Sequence, residues 1–212
     1  MKQIITSLLE NDLYKFNMGN VIFKNFNTMD NNCSIYFSDE FIEQNTNVIL
    51  QQAINWCKDN LKGRYNTQLN ITATNGEIII TGDVIINNTI EELPYKIHKV
   101  IGNVVIDNSL VFKKGKFKSL KNMPDIITGN FNCSNNPIKS LKDGPREVGG
   151  TYWCQCCELT DLNGLANSIG GSLLAFNNNI TDISAINTCK IGKNIDITNN
   201  PVSYSSNLLA FT

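Results

Sequence analysis

Gly129-Asn130-Phe131-Asn132-Cys133-Ser134-Asn135-Asn136 reads as a small residue, a short alternating strand and an Asn-rich turn. It decides the fold because it recurs. Upstream copies open at Gly82-Asp83-Val84-Ile85-Ile86 and Gly102-Asn103-Val104-Val105-Ile106. Downstream copies are Gly150-Thr151-Tyr152-Trp153-Cys154, Gly171-Ser172-Leu173-Leu174-Ala175 and Lys193-Asn194-Ile195-Asp196-Ile197. The anchors at 82, 102, 129, 150, 171 and 193 are 20, 27, 21, 21 and 22 residues apart. A unit this short cannot bury its own apolar side, so the copies must stack into a solenoid.

Alternation along each strand sends Val84 and Ile86, Val104 and Ile106, Phe131 and Cys133, Tyr152 and Cys154, Leu173 and Ala175, and Ile195 and Ile197 inward. The remaining positions face outward. Ile85, Val105, Asn132, Trp153, Leu174 and Asp196 then form a row that is apolar at four places, and such a strip is the expected protein-interaction face. Asp83, Asn103, Asn130, Thr151, Ser172 and Asn194 are read as outward-facing too. Behind each strand come Ile138 and Leu141, Leu159 and Leu162, Ile180 and Ile183, and then an apolar closing residue, Ile127, Val148, Ile169 or Ile191. Asn135, Asn177 and Asn199 share one turn position. They predict a ladder of buried amides that bonds successive turns.

The long interval holds Leu110-Val111-Phe112-Lys113-Lys114-Gly115-Lys116-Phe117, read as an inserted hairpin around Gly115. Its lysines, with Lys118, make the only basic cluster, read as solvated rather than as a phosphate or nucleic-acid contact. Cys154, Cys156 and Cys157 invite a metal reading, but no second cysteine pair or histidine stands at ligand spacing. Buried thiols are the expectation, with no metal and no cofactor. His98, the single histidine, is read as a surface or turn residue.

The block from Gly129 to Gly150, with Asn135-Asn136-Pro137, Ser140-Leu141 and Gly144-Pro145-Arg146-Glu147-Val148-Gly149-Gly150, resembles leucine-rich repeats, in a short variant associated with bacterial and phage proteins. The resemblance covers about 78–204 and implies a parallel β-solenoid of about six coils. Upstream, Leu8, Leu9, Leu13, Phe16, Met18 and Val21 have helical spacing. Cys33 to Phe37 reads as a strand, and Val48 to Leu61 as a second helix ending near Gly63. The stretch Leu8-Leu9-Glu10-Asn11-Asp12-Leu13-Tyr14-Lys15-Phe16-Asn17-Met18 resembles the opening of nicotinate phosphoribosyltransferases over about 1–60. That resemblance implies ligand contacts by Asp12, Tyr14 and Lys15, with Tyr14 near a pyridine ring. The family's catalytic barrel has no counterpart here, because the repeats begin where it should.

The 212 residues carry 18 basic and 19 acidic side chains, a formal net charge of -1. No field of that kind gathers polyanions, which disfavours nucleic acid as a partner. No stretch approaches the roughly 18 apolar residues of a membrane span. Seven cysteines, an odd number, point to free thiols and a cytoplasmic location, which is host cytoplasm or virion if the chain is phage-encoded. The expected fold class is α+β: an N-terminal helix-strand-helix segment over 1–70, then the solenoid over 71–212, with Leu208, Leu209 and Phe211 as a C-terminal cap. The expected function is non-catalytic protein-protein interaction, as a structural component or a binder of a host factor. The alternative is a nicotinate-like ligand site, or a subunit that completes a phosphoribosyltransferase-type enzyme.

Overall fold

A computed structural model describes residues 39–87, 89–107 and 115–202. The chain divides into two compact units, Met1–Ser38 and Asp39–Thr212, and all described elements belong to the second. The expected helix over Leu8 to Val21, the strand Cys33 to Phe37 and the C-terminal cap therefore lie outside the described residues.

One helix leads into a parallel β-solenoid. Helix α1 (Asp39–Asn60) carries Leu50, Ala53, Trp56 and Cys57 on one face, spaced three, three and one apart, and these are the residues it packs on the core. The helix begins at Asp39, nine residues before the expected start at Val48, which is itself 55% exposed. The helix stops at Asn60 and the chain continues as strand β1 (Leu61–Gly63). Leu61 is thus a strand residue paired with Ile86, not the last residue of a helix.

A hairpin follows, β2 (Asn70–Thr74) and β3 (Glu77–Thr81), and then the coils begin. One sheet, A, holds β4 (Val84–Ile86), β6 (Val104–Ile106), β8 (Phe131–Asn132), β10 (Tyr152–Trp153), β12 (Leu173–Leu174) and β14 (Ile195–Asp196). They pair in parallel, and β1 closes the first edge antiparallel. The other sheet, B, holds β5 (Lys99–Ile101), β7 (Ile126–Ile127), β9 (Glu147–Val148), β11 (Ser168–Ile169) and β13 (Lys190–Ile191), stacked in parallel after β3. Here β2 closes the first edge, again antiparallel. The sequence predicts one strand per coil, whereas the structure has two. The apolar closing residues Ile127, Val148, Ile169 and Ile191 are the inward members of sheet B.

Between the sheets lies one core. Of the six inward pairs expected in sheet A, five are buried, and Ile195 of the last pair is 40% exposed. Phe131 and Tyr152 meet edge to face, ring centroids 4.9 Å apart, a geometry that suits aromatic quadrupoles. Phe117, expected on the inserted hairpin, is 0% exposed and belongs to this core. No strand is formed over 115–120. The Phe117 ring fills a coil, so it is unavailable to an external phosphate.

Each coil turns a tight corner from sheet B into sheet A, and there coils approach more closely than side chains allow. A Cβ on Gly149 would overlap the Thr128 carbonyl oxygen, and one on Gly170 that of Gly149. Close stacking of backbone therefore explains the Gly-Gly pairs.

Candidate interaction faces

The corner residues Asp83, Asn103, Asn130, Thr151, Ser172 and Asn194, expected to face outward, bind coil to coil instead. Asp83 Oδ1 accepts from Asn103 N and Nδ2 at 2.9 and 2.8 Å. Asn103 Oδ1 accepts from Asn130 N at 2.7 Å, and Asn130 Oδ1 from Thr151 N at 2.8 Å. Thr151 Oγ1 accepts from Ser172 N, and Ser172 Oγ from Asn194 N, both at 3.3 Å. Asp83 stands first and only has to accept. Those hydrogen bonds from Asn103 hold its carboxyl below the ordinary 3.8.

A second, buried ladder occupies the opposite corner one residue later than predicted, while at the predicted position Asn199 Nδ2 donates to Asn177 Oδ1 at 2.8 Å on the exposed surface. Asn135, Asn177 and Asn199 are exposed and take φ of 58, 55 and 55°, a left-handed conformation that Asn tolerates. Their successors face inward. Buried Asn178 donates to Cys154 O and Ala175 O, both at 2.9 Å, and accepts from Cys157 N at 2.8 Å and Leu159 N at 3.2 Å. Asn200 donates to Ala175 O and Ile197 O at 2.9 Å and accepts from Ile180 N at 3.0 Å. Asn136 bonds Cys133 O, Ser134 O and Phe117 N.

The cysteine doublet replaces Asn in the central coil. Cys156 takes the left-handed turn, φ 56°, and Cys157 takes the ladder position, where its thiol donates to Cys133 O at 3.3 Å. A thiol is a weak acceptor, and Ile138 N turns to Asn136 O instead. Burial pushes the Cys133 and Cys154 thiols well above 9.0, which makes them inert nucleophiles. Among the described residues no cluster of three or more His, Cys, Asp or Glu side chains could hold a metal ion.

The predicted face is a single register column. Strand pairing aligns Lys62, Ile85, Val105, Asn132, Trp153, Leu174 and Asp196 side by side across sheet A. Ile85, Val105, Trp153 and Leu174 are partly buried, yet none joins the core. Asn132 turns its Oδ1 back to Ser134 N at 3.0 Å, and Asp196 Oδ1 accepts from Thr198 N and Oγ1 at 3.0 and 2.7 Å. Asn132 and Asp196 are therefore engaged locally, while Lys62 is exposed.

The outer face of sheet B was not singled out by sequence reasoning. Its column runs Ile79, Lys99, Ile126, Glu147, Ser168 and Lys190. Beside it Gly149, Gly170 and Gly192 leave an open groove of about 600 Å³. Two residues per strand carry too little alternation for a period to show.

Lys116 and Lys118 are exposed, and Lys118 pairs with Glu91 at 2.8 Å; Lys113 and Lys114 lie outside the described residues. His98 is not a plain surface residue. Its Nδ1 accepts from Ile78 N at 3.0 Å, and burial, opposed by Glu77, lowers its pKa from 6.5. Asp12, Tyr14 and Lys15 lie outside the described residues. Among those described, no helix is long and apolar enough to cross a membrane. Comparison with protein families, with curated proteins and with solved structures gave no match.

Proposed function

We propose that this chain is a non-catalytic protein-interaction module whose working surface is the outer face of sheet A, centred on Trp153. One observation carries the reading. Four large apolar side chains, Ile85, Val105, Trp153 and Leu174, stand in one register column outside the core, although the fold has a continuous interior that buries their strand neighbours. Such a strip has a cost in water that a partner would remove.

Tryptophan is the residue type most enriched among interface hot spots, and here it has apolar Leu174 on one side and Asn132 on the other. Sheet B differs, because its column mixes Lys99, Glu147 and Lys190 with apolar residues. Immobilised wild-type protein and Trp153→Asp, both shown to be folded by thermal unfolding, are exposed to lysate of the native cell. Proteins held by wild type should be lost from the variant, while Glu147→Ala retains them. Identical partner sets for wild type and Trp153→Asp would end the proposal.

A further inference from the structure

We infer that the last coil docks on the last coil of a second copy of this chain, tail to tail, with β14 of each copy pairing antiparallel to β13 of the other. This interface is the end of the stack and is separate from the outer face of sheet A.

The core is uncovered at that end. Ile195 is 40% exposed, whereas its counterparts Val84, Val104, Phe131, Tyr152 and Leu173 are at most 1% exposed. Ile191 is only partly buried, whereas Ile127, Val148 and Ile169 are again at most 1% exposed. Among the described strands β13 and β14 are also the unfilled last edges of the two sheets. Lys190 N and Gly192 N donate back to Asn167 O and Ile169 O, and Asn194 O and Asp196 O accept from Leu173 N and Ala175 N. Successive residues of a strand turn their N–H and C=O groups to opposite sides, so those of Ile191 and Ile195 point off the stack. Covering the core calls for partners to these groups.

A second copy supplies them in register. Lys193 is the midpoint of the corner, with Ile191 and Ile195 two residues to either side of it and Lys190 and Asp196 three. A two-fold axis through Lys193 in the plane of the coil exchanges the two arms. Ile195 then lies opposite Ile191 of the second copy, and both present N–H and C=O to each other, as a hydrogen-bonded antiparallel pair requires. Both side chains point inward, so the two cores meet. The chain already ends its sheets this way at the other end, where β1 and β2 pair antiparallel.

Charge selects this pairing over its rival. Among the described residues the last coil, 190–202, carries three ionised groups, Lys190, Lys193 and Asp196. If β14 met β14 and β13 met β13 with inward residues aligned, Asp196 would face Asn194, and Lys190 would face Gly192. The exchanged pairing instead sets Asp196 against Lys190 twice, and opposite charges across a strand pair are favourable. It also brings the two Lys193 side chains together at the axis, the one like-charge contact. Both are exposed at a corner where the earlier coils have Gly, so water and salt screen them. A two-fold contact closes on itself, and assembly stops at two copies.

Sedimentation equilibrium of the full chain, from micromolar to millimolar concentration, tests the pairing, with thermal unfolding as the check on folding. Wild type should pass from monomer to dimer. Asp196→Lys and Lys190→Asp should each weaken the dimer at least about tenfold, and the variant carrying both should recover it. Lys193→Ser should tighten it several-fold, and Trp153→Asp should leave it unchanged, which separates this contact from the sheet A face. Should Asp196→Lys unfold because Thr198 N loses its acceptor, Lys190→Glu carries the same expectation. A monomer at every concentration would give the end to another occupant, residues 203–212 or an unlike chain, and overturn the inference. So would a dimer that single charge reversals leave intact, a folded double variant that stays monomeric, or a dimer weakened by Lys193→Ser.

Discussion

The two corners of the coil solve one problem in two ways. At the glycine corner, Asp83, Asn103, Asn130, Thr151, Ser172 and Asn194 each stand at the same position, and any side-chain oxygen serves. At the opposite corner the ladder residue is Asn136, Asn178 or Asn200, whose amide both donates and accepts, with Cys157 of the central coil the exception. Burial accounts for the difference. Water reaches the first ladder and can supply a missing partner, whereas Asn136 and Asn178 are 0 and 7% exposed, where an orphaned group keeps its full desolvation cost. Chemical latitude at a repeat position thus measures access to water.

The largest blow to this contrast comes from Asn178→Ala, which orphans Cys157 N, Leu159 N and Cys154 O and should cost about 3 kcal/mol in urea unfolding. Asn130→Ala, at the wetter corner, should cost only about 1 kcal/mol. Equal losses would erase the distinction. Cys157→Asn sharpens it from the other side, because restoring a donor and an acceptor at a buried position should raise stability by about 1 kcal/mol. A loss there would mean that the thiol is kept for its shape. Cys156→Asn, which relieves a left-handed cysteine, should gain a few tenths of a kcal/mol at most by the same measurement.

Acid gives the smallest and most local signal. Asp83 titrates below its ordinary 3.8 when folded, so its contribution is complete above pH 3.8 and fades as pH falls through the lower folded value. Neutral His98 accepts from Ile78 N and also has a lowered folded pKa. Its contribution is complete above about pH 6.5 and fades as pH falls below that. Unfolding midpoints of Asp83→Asn and His98→Gln should therefore lose part of the wild-type acid slope, the first below pH 3.8 and the second below about pH 6.5. Unchanged slopes would assign acid sensitivity to other groups.

The inner half of sheet A could be read from sequence because Val84, Val104, Phe131, Tyr152 and Leu173 each sit two before another buried residue in the first five coils, and period two is a strand's own signature. Sheet B could not. Glu147–Val148 and Ser168–Ile169 each offer one inward residue, which reads as a lone closing hydrophobe. The Asn ladder was displaced by one because Asn135-Asn136 and Asn177-Asn178-Asn179 are runs of one residue type. Only backbone conformation separates the left-handed member from the buried one. Phe117 was misplaced for a related reason: a Lys-rich setting signals solvent, but a single ring can still be drawn into an unfilled coil. The column of Ile85, Val105, Trp153 and Leu174 was visible from alternation alone, while its charged terminus at Lys62 depends on the antiparallel pairing of β1.

Two-residue strands stacked in parallel at 4.8 Å spacing are also the arrangement of amyloid fibrils, and a stack of this kind raises the question of what ends its growth. Here the first edges are filled, sheet A by β1 and sheet B by β2, both antiparallel, with α1 packed against each of them. Among the described residues the last coil is the open one, and it carries Lys190, Lys193 and Asp196, charges of the sort that blunt exposed strand edges. A head-to-tail filament needs two complementary free ends. The antiparallel strands and the helix at the first end therefore deny the last coil a matching parallel edge there.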